Sequence, residues 1–537
     1  MRGACATAAP GASLSRTAAL ATAVGVAVAA AFARALACDF FQIDDYDLVL
    51  HNEHVMRGLS REGVAWAFAS PLVGNWTPLA WLSHMADVSL FGARAAGHHA
   101  TSVLLHAATA ALVFAFLARA TGAPVRSALA ALAFALHPMR VESVVWIAER
   151  RDVLSGFFGA ATLCAWGAYA RARHARAYAA ALALAAMAMA SKATLVTLPF
   201  LLLLVDVWPL GRAPLAAPAR ETARALLRLA VEKLPFFALA AVASAATLVA
   251  QGDAGAVVPA DVLPLGARLA NAVMATSHHL ETTLWPSRLS VMVMHPALFG
   301  GVGHAPAAVA LTAAFLAGLT ALAVAARARG YALVGWLWFA GALVPTLGLV
   351  QAGLQGLAHR YTYLPHVGLA MLFAWGACDG VERAARAAPP RARAALRSGA
   401  AVAGALVLGA LAARTFVEIG HWRTTEARFR HEVAIDPGAW NHRFYLGNAL
   451  LVEGRPADAI APLEAARERL PRAGGRELRE AWASVELARG KALDGAGRSA
   501  DAIDAFRRSL AIAPREETAR RLAEAARRAS ARAPRAD

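Results

Sequence analysis

The chain has 537 residues, of which 58% are hydrophobic and 17% are charged. Soluble domains are about 45–50% apolar and about 25% charged, so this composition excludes an ordinary soluble protein and places most of the chain in a membrane. The formal net charge of +17 comes from arginines scattered between apolar segments. That distribution indicates basic loops at one membrane face and argues against nucleic-acid binding.

Apolar windows about 20 residues long predict an all-α, polytopic membrane protein with about eleven spans. They lie near residues 18–38, 98–118, 124–139, 153–170, 177–191, 194–209, 232–250, 305–326, 331–350, 364–381 and 398–416. The first window is longer than a signal-peptide core and more spans follow it, so we expect it to remain uncleaved. The four cysteines (Cys5, Cys38, Cys164 and Cys378) lack metal-ligand spacing, and we predict neither a disulfide nor a zinc site.

The basic residues decide the predicted orientation. Most of them lie in short connections on the side of the N-terminus, whereas the opposite connections are longer and less basic. The positive-inside rule therefore makes the N-terminus cytoplasmic, and an odd number of spans puts the C-terminus on the other side. The histidine-rich and acidic segments fall on that noncytoplasmic side. This pattern indicates a one-sided active site rather than a transporter, which needs polar groups at mid-membrane.

The first outer loop, residues 39–97, starts with an acidic pair directly after the first span. Asp44 or Asp45 could deprotonate an acceptor hydroxyl at the membrane surface, and neighbouring acids raise one another's pKa. The alternative is two solvated acids at a helix end, and the pattern leaves open which aspartate would be the base. Trp66, Trp76 and Trp81 in the same loop favour an amphipathic segment seated on the bilayer over sugar-stacking platforms.

Four cations on the outer side are candidate ligands of a donor phosphate: Arg150, Arg151, Lys192 and Arg360. Guanidinium forks match phosphate oxygens, and a lysine in a tight turn can reach a lipid phosphate. The alternatives stay open. The two neighbouring arginines could form ion pairs within their loop, Lys192 could snorkel, and Arg360 could anchor an interfacial aromatic belt.

Seven further residues are candidates for substrate binding through hydrogen bonds to sugar or phosphate: His84, His98, His99, His137, Glu142, Tyr361 and Tyr363. Ordinary packing at the membrane interface and binding of a divalent metal are the other interpretations of the histidines. We predict no metal site and no cofactor, because no histidine pair at helical spacing is backed by acids.

After about residue 420 the sequence becomes charged, helical in pattern and soluble in character. Residues 439–472 and 483–516 share small and large residues at the spacing of tetratricopeptide repeats, with Gly447 and Gly490 in matching places. Small residues allow the two helices of a hairpin to cross closely. The pattern predicts a membrane domain over 1–419 and a repeat domain over 420–537 that binds a protein partner.

The order of these segments resembles bacterial relatives of the TMTC proteins, the repeat-bearing O-mannosyltransferases of the GT-C superfamily. The resemblance lies in the acidic pair, GNWTPLAWLSHMADVSLFG, LHPMRVESVVWIAERRDVLSGFF, HRYTYLP and the C-terminal repeats. It departs at Leu48, Thr77 and His359, where relatives often carry tyrosine, histidine and an acid. The resemblance implies a bacterial inner-membrane glycosyltransferase with Asp44 and Asp45 in its acidic motif. The sugar would pass from a polyprenyl-phosphate carrier to a protein or glycan hydroxyl outside the cytoplasm.

Two functions from other classes compete with this expectation. A membrane-anchored repeat scaffold without catalysis would have no use for the acidic pair. A flippase for a lipid-linked sugar would carry polar residues at mid-span rather than at the outer face.

Overall fold

The computed structural model describes residues 10–215, 217–299, 301–472 and 475–532. Cys5 and the first basic residue, Arg2, therefore lie outside the described residues. The described chain is almost entirely helical, with one short antiparallel pair of strands, β1 (Val293–Met294) and β2 (Gln355–Leu357). The prediction of an all-α chain is confirmed.

Helices α1 to α17 form the body of the molecule. Their bounds are α1 Pro10–Phe32, α2 Glu53–Met56, α3 Arg61–Ala69, α4 Pro78–Phe91, α5 Ala95–Thr121, α6 Pro124–Ala135, α7 Val141–Val145, α8 Arg150–Ala172, α9 Ala175–Ser191, α10 Leu198–Val207, α11 Ala219–Glu232, α12 Leu234–Asp253, α13 Leu265–Leu284, α14 Pro306–Ala325, α15 Tyr331–Leu343, α16 Pro365–Ala387 and α17 Pro390–His421. Short helical turns precede or follow several of them, including Ile147–Glu149, Ala193–Thr197 and His359–Thr362.

Six helical segments of the described chain are long and apolar enough to cross a membrane: Ser15–Ala37, Ala95–Thr121, Ile147–Ala172, Leu234–Asp253, Pro306–Ala325 and Pro390–His421. A seventh arises if Pro124–Ala135 and Pro138–Val145, which meet at 55°, form one bent span. These segments support membrane association, but the predicted count of eleven is not confirmed. Three other predicted spans fall on apolar helices of 10–17 residues, which are shorter than a bilayer crossing.

Helix α5 lies at the centre of the body and packs against α1, α6 and α8. Small residues permit these close approaches. A Cβ on Gly25 of α1 would stand 3.4 Å from the carbonyl oxygen of Ala107, which is van der Waals contact distance, so the backbones of α1 and α5 lie one methyl group apart here. This packing holds the start of α8 beside the loop that follows α1.

The C-terminal part consists of six consecutive helices: α18 Thr425–Ile435, α19 Trp440–Val452, α20 Pro456–Arg469, α21 Arg476–Gly495, α22 Ser499–Ile512 and α23 Glu516–Arg532. Each packs against the next. Gly447 lies so close to Leu463 that a Cβ would be 2.5 Å from its Cγ. The short turns contain Gly454 and Gly497 at positive φ, where residues with a Cβ are strained.

The C-terminal helices are attached to the same end of the body as the acidic loop. Glu432 of α18 accepts hydrogen bonds from the Ser290 hydroxyl and from the Val291 N–H at 2.9 Å. The ring of Phe429 stacks on Phe41, three residues before Asp44, with centroids 5.7 Å apart. The two regions therefore share one packed interface.

Candidate active site

Asp45 ties two segments of chain together. Its carboxylate is fully buried and accepts the Phe41 N–H and the Ala148 N–H, both at 2.7 Å. Burial raises the pKa of this carboxyl to about 8, although the two N–H donors act in the opposite direction. Because both oxygens are taken up by backbone donors, Asp45 holds the acidic loop against the start of α8.

Asp44 has a different environment. Its side chain is only partly buried, and it lines a cavity of about 70 Å³ together with Asn75, His84 and Arg151. Within the described chain its carboxylate makes no hydrogen bond or ion pair. Burial raises the pKa of Asp44, while the charge of Arg151 lowers it. An acid with free oxygens and a raised pKa in a cavity has the properties of a general base.

Three of the four predicted phosphate ligands converge on one buried acid, Glu149. Arg151 donates to its carboxylate at 2.8 and 3.1 Å, Lys192 lies 3.0 Å from it, and the Arg360 Nε lies 3.0 Å from it. Lys192 also pairs with Asp152 at 2.7 Å. The alternative of an ion pair within the loop is therefore present for Arg151, and three of the four candidate cations surround one acid.

Arg360 is further fixed by Glu142, which accepts its side chain and, at 3.0 Å, its backbone N–H. The rings of Trp146 and Tyr361 flank the guanidinium, with centroids 5.3 and 5.1 Å from its central carbon. The Glu142 carboxylate and its neighbour Glu149 raise the pKa of Arg360, so the guanidinium stays charged. Glu142, predicted to bind substrate, serves here to orient this arginine.

Arg150 is separate from the other three cations. It is fully buried and pairs with Asp87 at 2.8 Å, and it also donates to Ser102 at 2.9 Å and Ser83 at 2.8 Å. A guanidinium with these partners has no face left for a substrate. The structure therefore favours a packing role for Arg150 over the predicted phosphate contact.

The predicted histidines divide into two places. His84, His98 and His99 are buried around the first turns of α4 and α5, close to Arg150, and His84 reaches the Asp44 cavity. Burial, with the charge of Arg150, holds the pKa of His84 well below its usual range, so this ring is neutral. Only His84 among the three borders the cavity.

His137 and Tyr363 lie deeper in the body. The His137 ring contacts the backbone oxygen of Thr283 at 3.0 Å, and the Tyr363 hydroxyl contacts His106 at 2.7 Å. Tyr363 also lines a small cavity beside Lys192, Arg360 and Tyr361. This second cavity, about 20 Å³ in volume, lies next to the short turn after Lys192.

Two groups among the described residues bring three metal-type ligands within 4.8 Å of one another: His84, Asp87 and His98, and Glu418, His421 and His431. In the first, Arg150 already supplies the positive charge that a metal would bring to Asp87. In the second, the two imidazole rings stack at 3.6 Å and 4°, so their in-plane lone pairs cannot converge on one ion. Neither arrangement suits a divalent cation.

The sequence prediction did not include Glu149, Asp152 and Asp87 among the site residues. Acids inside an otherwise apolar stretch are costly unless paired, and that cost was the signal that could have identified them. Tyr445 of α19 was also not predicted. It stacks on Phe429, and burial together with the negative charge of Asp44 raises its pKa to about 12. The C-terminal helices thus approach the candidate base.

The chain matches no family model and no curated protein.

Proposed function

We propose that the protein is a membrane glycosyltransferase with a GT-C-like membrane domain and C-terminal tetratricopeptide repeats. It would transfer a sugar from a polyprenyl-phosphate carrier to a protein or glycan hydroxyl. One observation carries this proposal. Asp44, whose carboxylate has no partner in the described chain, lines a cavity with Arg151, and Arg151 belongs to the same charge group as Lys192 and Arg360. A base and a phosphate-binding group side by side are what this transfer requires.

Asp44 would take the proton from the acceptor hydroxyl as that oxygen attacks the anomeric carbon. The bond from this carbon to the phosphate oxygen breaks, and the lipid phosphate leaves with the electron pair. Arg151, Lys192 and Arg360 would stabilise the negative charge that builds up on the phosphate. Their pairs with Glu149 and Asp152 hold Arg151 and Lys192 in place, and each keeps an accessible edge, with side chains 19% and 13% exposed. Arg360 is buried, and its guanidinium nitrogens are paired with Glu142, Glu149 and Gln355, so it would act on the phosphate through its charge.

The donor would reach the site from the bilayer. The cavity beside Lys192 lies between the end of α9 and the start of α16, next to α15, where the helices are interrupted by short turns. Such breaks are tolerated in a membrane where the backbone is buried in protein or lines a cavity. A cytoplasmic N-terminus with α1 as the first span would place Asp44, and with it this neighbouring opening, near the outer face.

The repeat domain would present the acceptor. The Phe41–Phe429 contact and the position of Tyr445 support this assignment, since they bring the first two C-terminal helices to the acidic loop. The close fit of Gly447 against Leu463 agrees with the predicted repeat pattern, in which stacked hairpins form a concave peptide-binding surface.

The test compares envelope proteins and glycans by mass spectrometry in cells that make the wild type, Asp44→Asn, Asp47→Asn or no protein. Asp47 is a matched control, because it is three residues away and its side chain is 79% exposed. We expect one sugar to be missing from a defined acceptor in the null and Asp44→Asn cells only. Full modification with Asp44→Asn would refute the assignment of the base. An unchanged acceptor profile in the null strain would favour the scaffold.

A further inference from the structure

A basic cleft lies at the end of the body opposite the acidic loop. Its volume is about 530 Å³, and three arginines line it: Arg126, Arg327 and Arg329. Helix α5, whose 27 residues span about 40 Å, runs from the acidic-loop end to this end. The cleft is therefore remote from the candidate active site, and a ligand bound there is independent of the proposed glycosyl transfer.

The positive charge of the cleft is not balanced. Its one carboxylate, Asp379, is already shared between Arg126 at 2.7 Å and the Tyr331 hydroxyl at 2.8 Å. Arg327 and Arg329 form no ion pair with any residue that the structure describes. Two like charges beside each other, without a counter-charge, attract an anion.

Two helix N-termini add to this field. Helix α6 begins at Pro124, next to Arg126, and α15 begins at Tyr331, and neither has a side-chain cap. The free N–H groups of a first helical turn favour negatively charged groups such as phosphate. Charged side chains and helix ends therefore point to the same kind of ligand.

The surroundings indicate an amphipathic ligand rather than a soluble one. Trp208, Trp375 and Tyr331 form an aromatic wall, in which Trp208 and Trp375 meet edge to face with centroids 5.1 Å apart. Directly before Arg327, helix α14 exposes an apolar flank, with Leu322 67% exposed. Only 6% of the apolar window of α14 is buried in the protein, so acyl chains can lie along it.

We propose that this cleft binds the headgroup of an anionic phospholipid. Arg327 and Arg329 would hold its phosphate, the aromatic wall would contact the glycerol region, and the acyl chains would lie against α14. A headgroup with two phosphates, as in a diphosphatidylglycerol, suits the two unbalanced arginines best. Basic pockets between membrane helices are suited to such headgroups.

The experiment reconstitutes the full chain in phosphatidylcholine nanodiscs that contain cardiolipin, phosphatidylglycerol or neither. Native mass spectrometry then counts retained lipids. Arg327→Gln/Arg329→Gln removes the two free charges, and both positions are exposed, so the fold is unaffected. Arg391→Gln/Arg393→Gln is the matched control, because it removes two exposed charges from the first turn of α17.

We expect retention of cardiolipin by the wild type and the control variant. The Arg327→Gln/Arg329→Gln variant should bind it about 25-fold more weakly, since each arginine contributes roughly a factor of five. Equal retention by that variant, equal loss by the control, or equal retention of phosphatidylcholine would overturn the proposal. So would displacement of cardiolipin by soluble glycerol phosphate at similar concentration, which would indicate a site for a free phosphate.

Discussion

The two neighbouring aspartates should respond to substitution in opposite ways. Asp45→Ala removes both acceptors from the buried N–H groups of Phe41 and Ala148. A buried donor without a partner costs about 1–3 kcal/mol, so the loss of stability should be about 2–6 kcal/mol. Asp45→Asn keeps one acceptor and replaces the other with an NH₂ group, so it should cost about half as much.

Asp44→Asn should leave stability nearly unchanged, because the Asp44 carboxylate has no partner to lose within the described chain. Transfer should instead fall by about 10²–10⁴-fold, the usual contribution of a general base. Stability should therefore depend on Asp45 and transfer activity on Asp44, although the two residues are adjacent. Asp47→Asn should change neither, since Asp47 is exposed.

The assay is thermal unfolding of each purified variant in detergent, with sugar transfer measured on the same samples. Asp45→Ala should melt several degrees below the wild type, and Asp45→Asn should melt between them. A wild-type melting temperature for Asp45→Ala would refute the anchoring role. A large fall in melting temperature for Asp44→Asn would show that Asp44 has a structural partner.

The pH dependence of stability offers an independent check on Asp45. Its pKa is raised from an ordinary value of 3.8 to about 8, so the folded state retains a proton that the unfolded state releases between these values. The stabilisation from Asp45 is complete below pH 4 and is lost as the pH rises through 8. The wild type should therefore lose more stability between pH 5 and pH 9 than Asp45→Asn. Parallel pH profiles would contradict this.

Three further results are expected. Transfer activity should fall as the pH is lowered, with a midpoint above the usual range for an aspartate, because burial raises the pKa of Asp44. The measurement is kcat/KM as a function of pH, and a profile that is flat down to pH 4 would exclude this base. Arg360→Met should leave the buried Glu142 carboxylate unpaired and lower stability by about 3–5 kcal/mol, measured by thermal unfolding, whereas Arg360→Lys should recover part of it. Gly447→Ala should press a Cβ against Leu463 and destabilise the C-terminal helices by about 1–3 kcal/mol. Limited proteolysis should then cleave that region earlier than in the wild type, and unchanged proteolysis would contradict this packing.

Much of the architecture followed from the sequence. The all-α class and the membrane association could be predicted because apolar windows of bilayer length are a local, one-dimensional property. The number of spans could not be predicted in the same way. The segments before and after Lys192 are too short to cross alone, and whether such pieces cross or turn back depends on the protein around them.

For the candidate site too, part could be predicted from the sequence and part depended on the tertiary structure. The sequence by itself made Asp44, Asp45, Arg151 and Arg360 candidate site residues, because charge is costly in an apolar chain. Only the tertiary structure separated Asp45, whose oxygens are taken up by two backbone donors, from Asp44, whose carboxylate faces a cavity. The tertiary structure also showed that Arg150 lies apart from the other three cations. Neighbours in sequence on a helix point in different directions, and partners from distant segments decide which of them remains free.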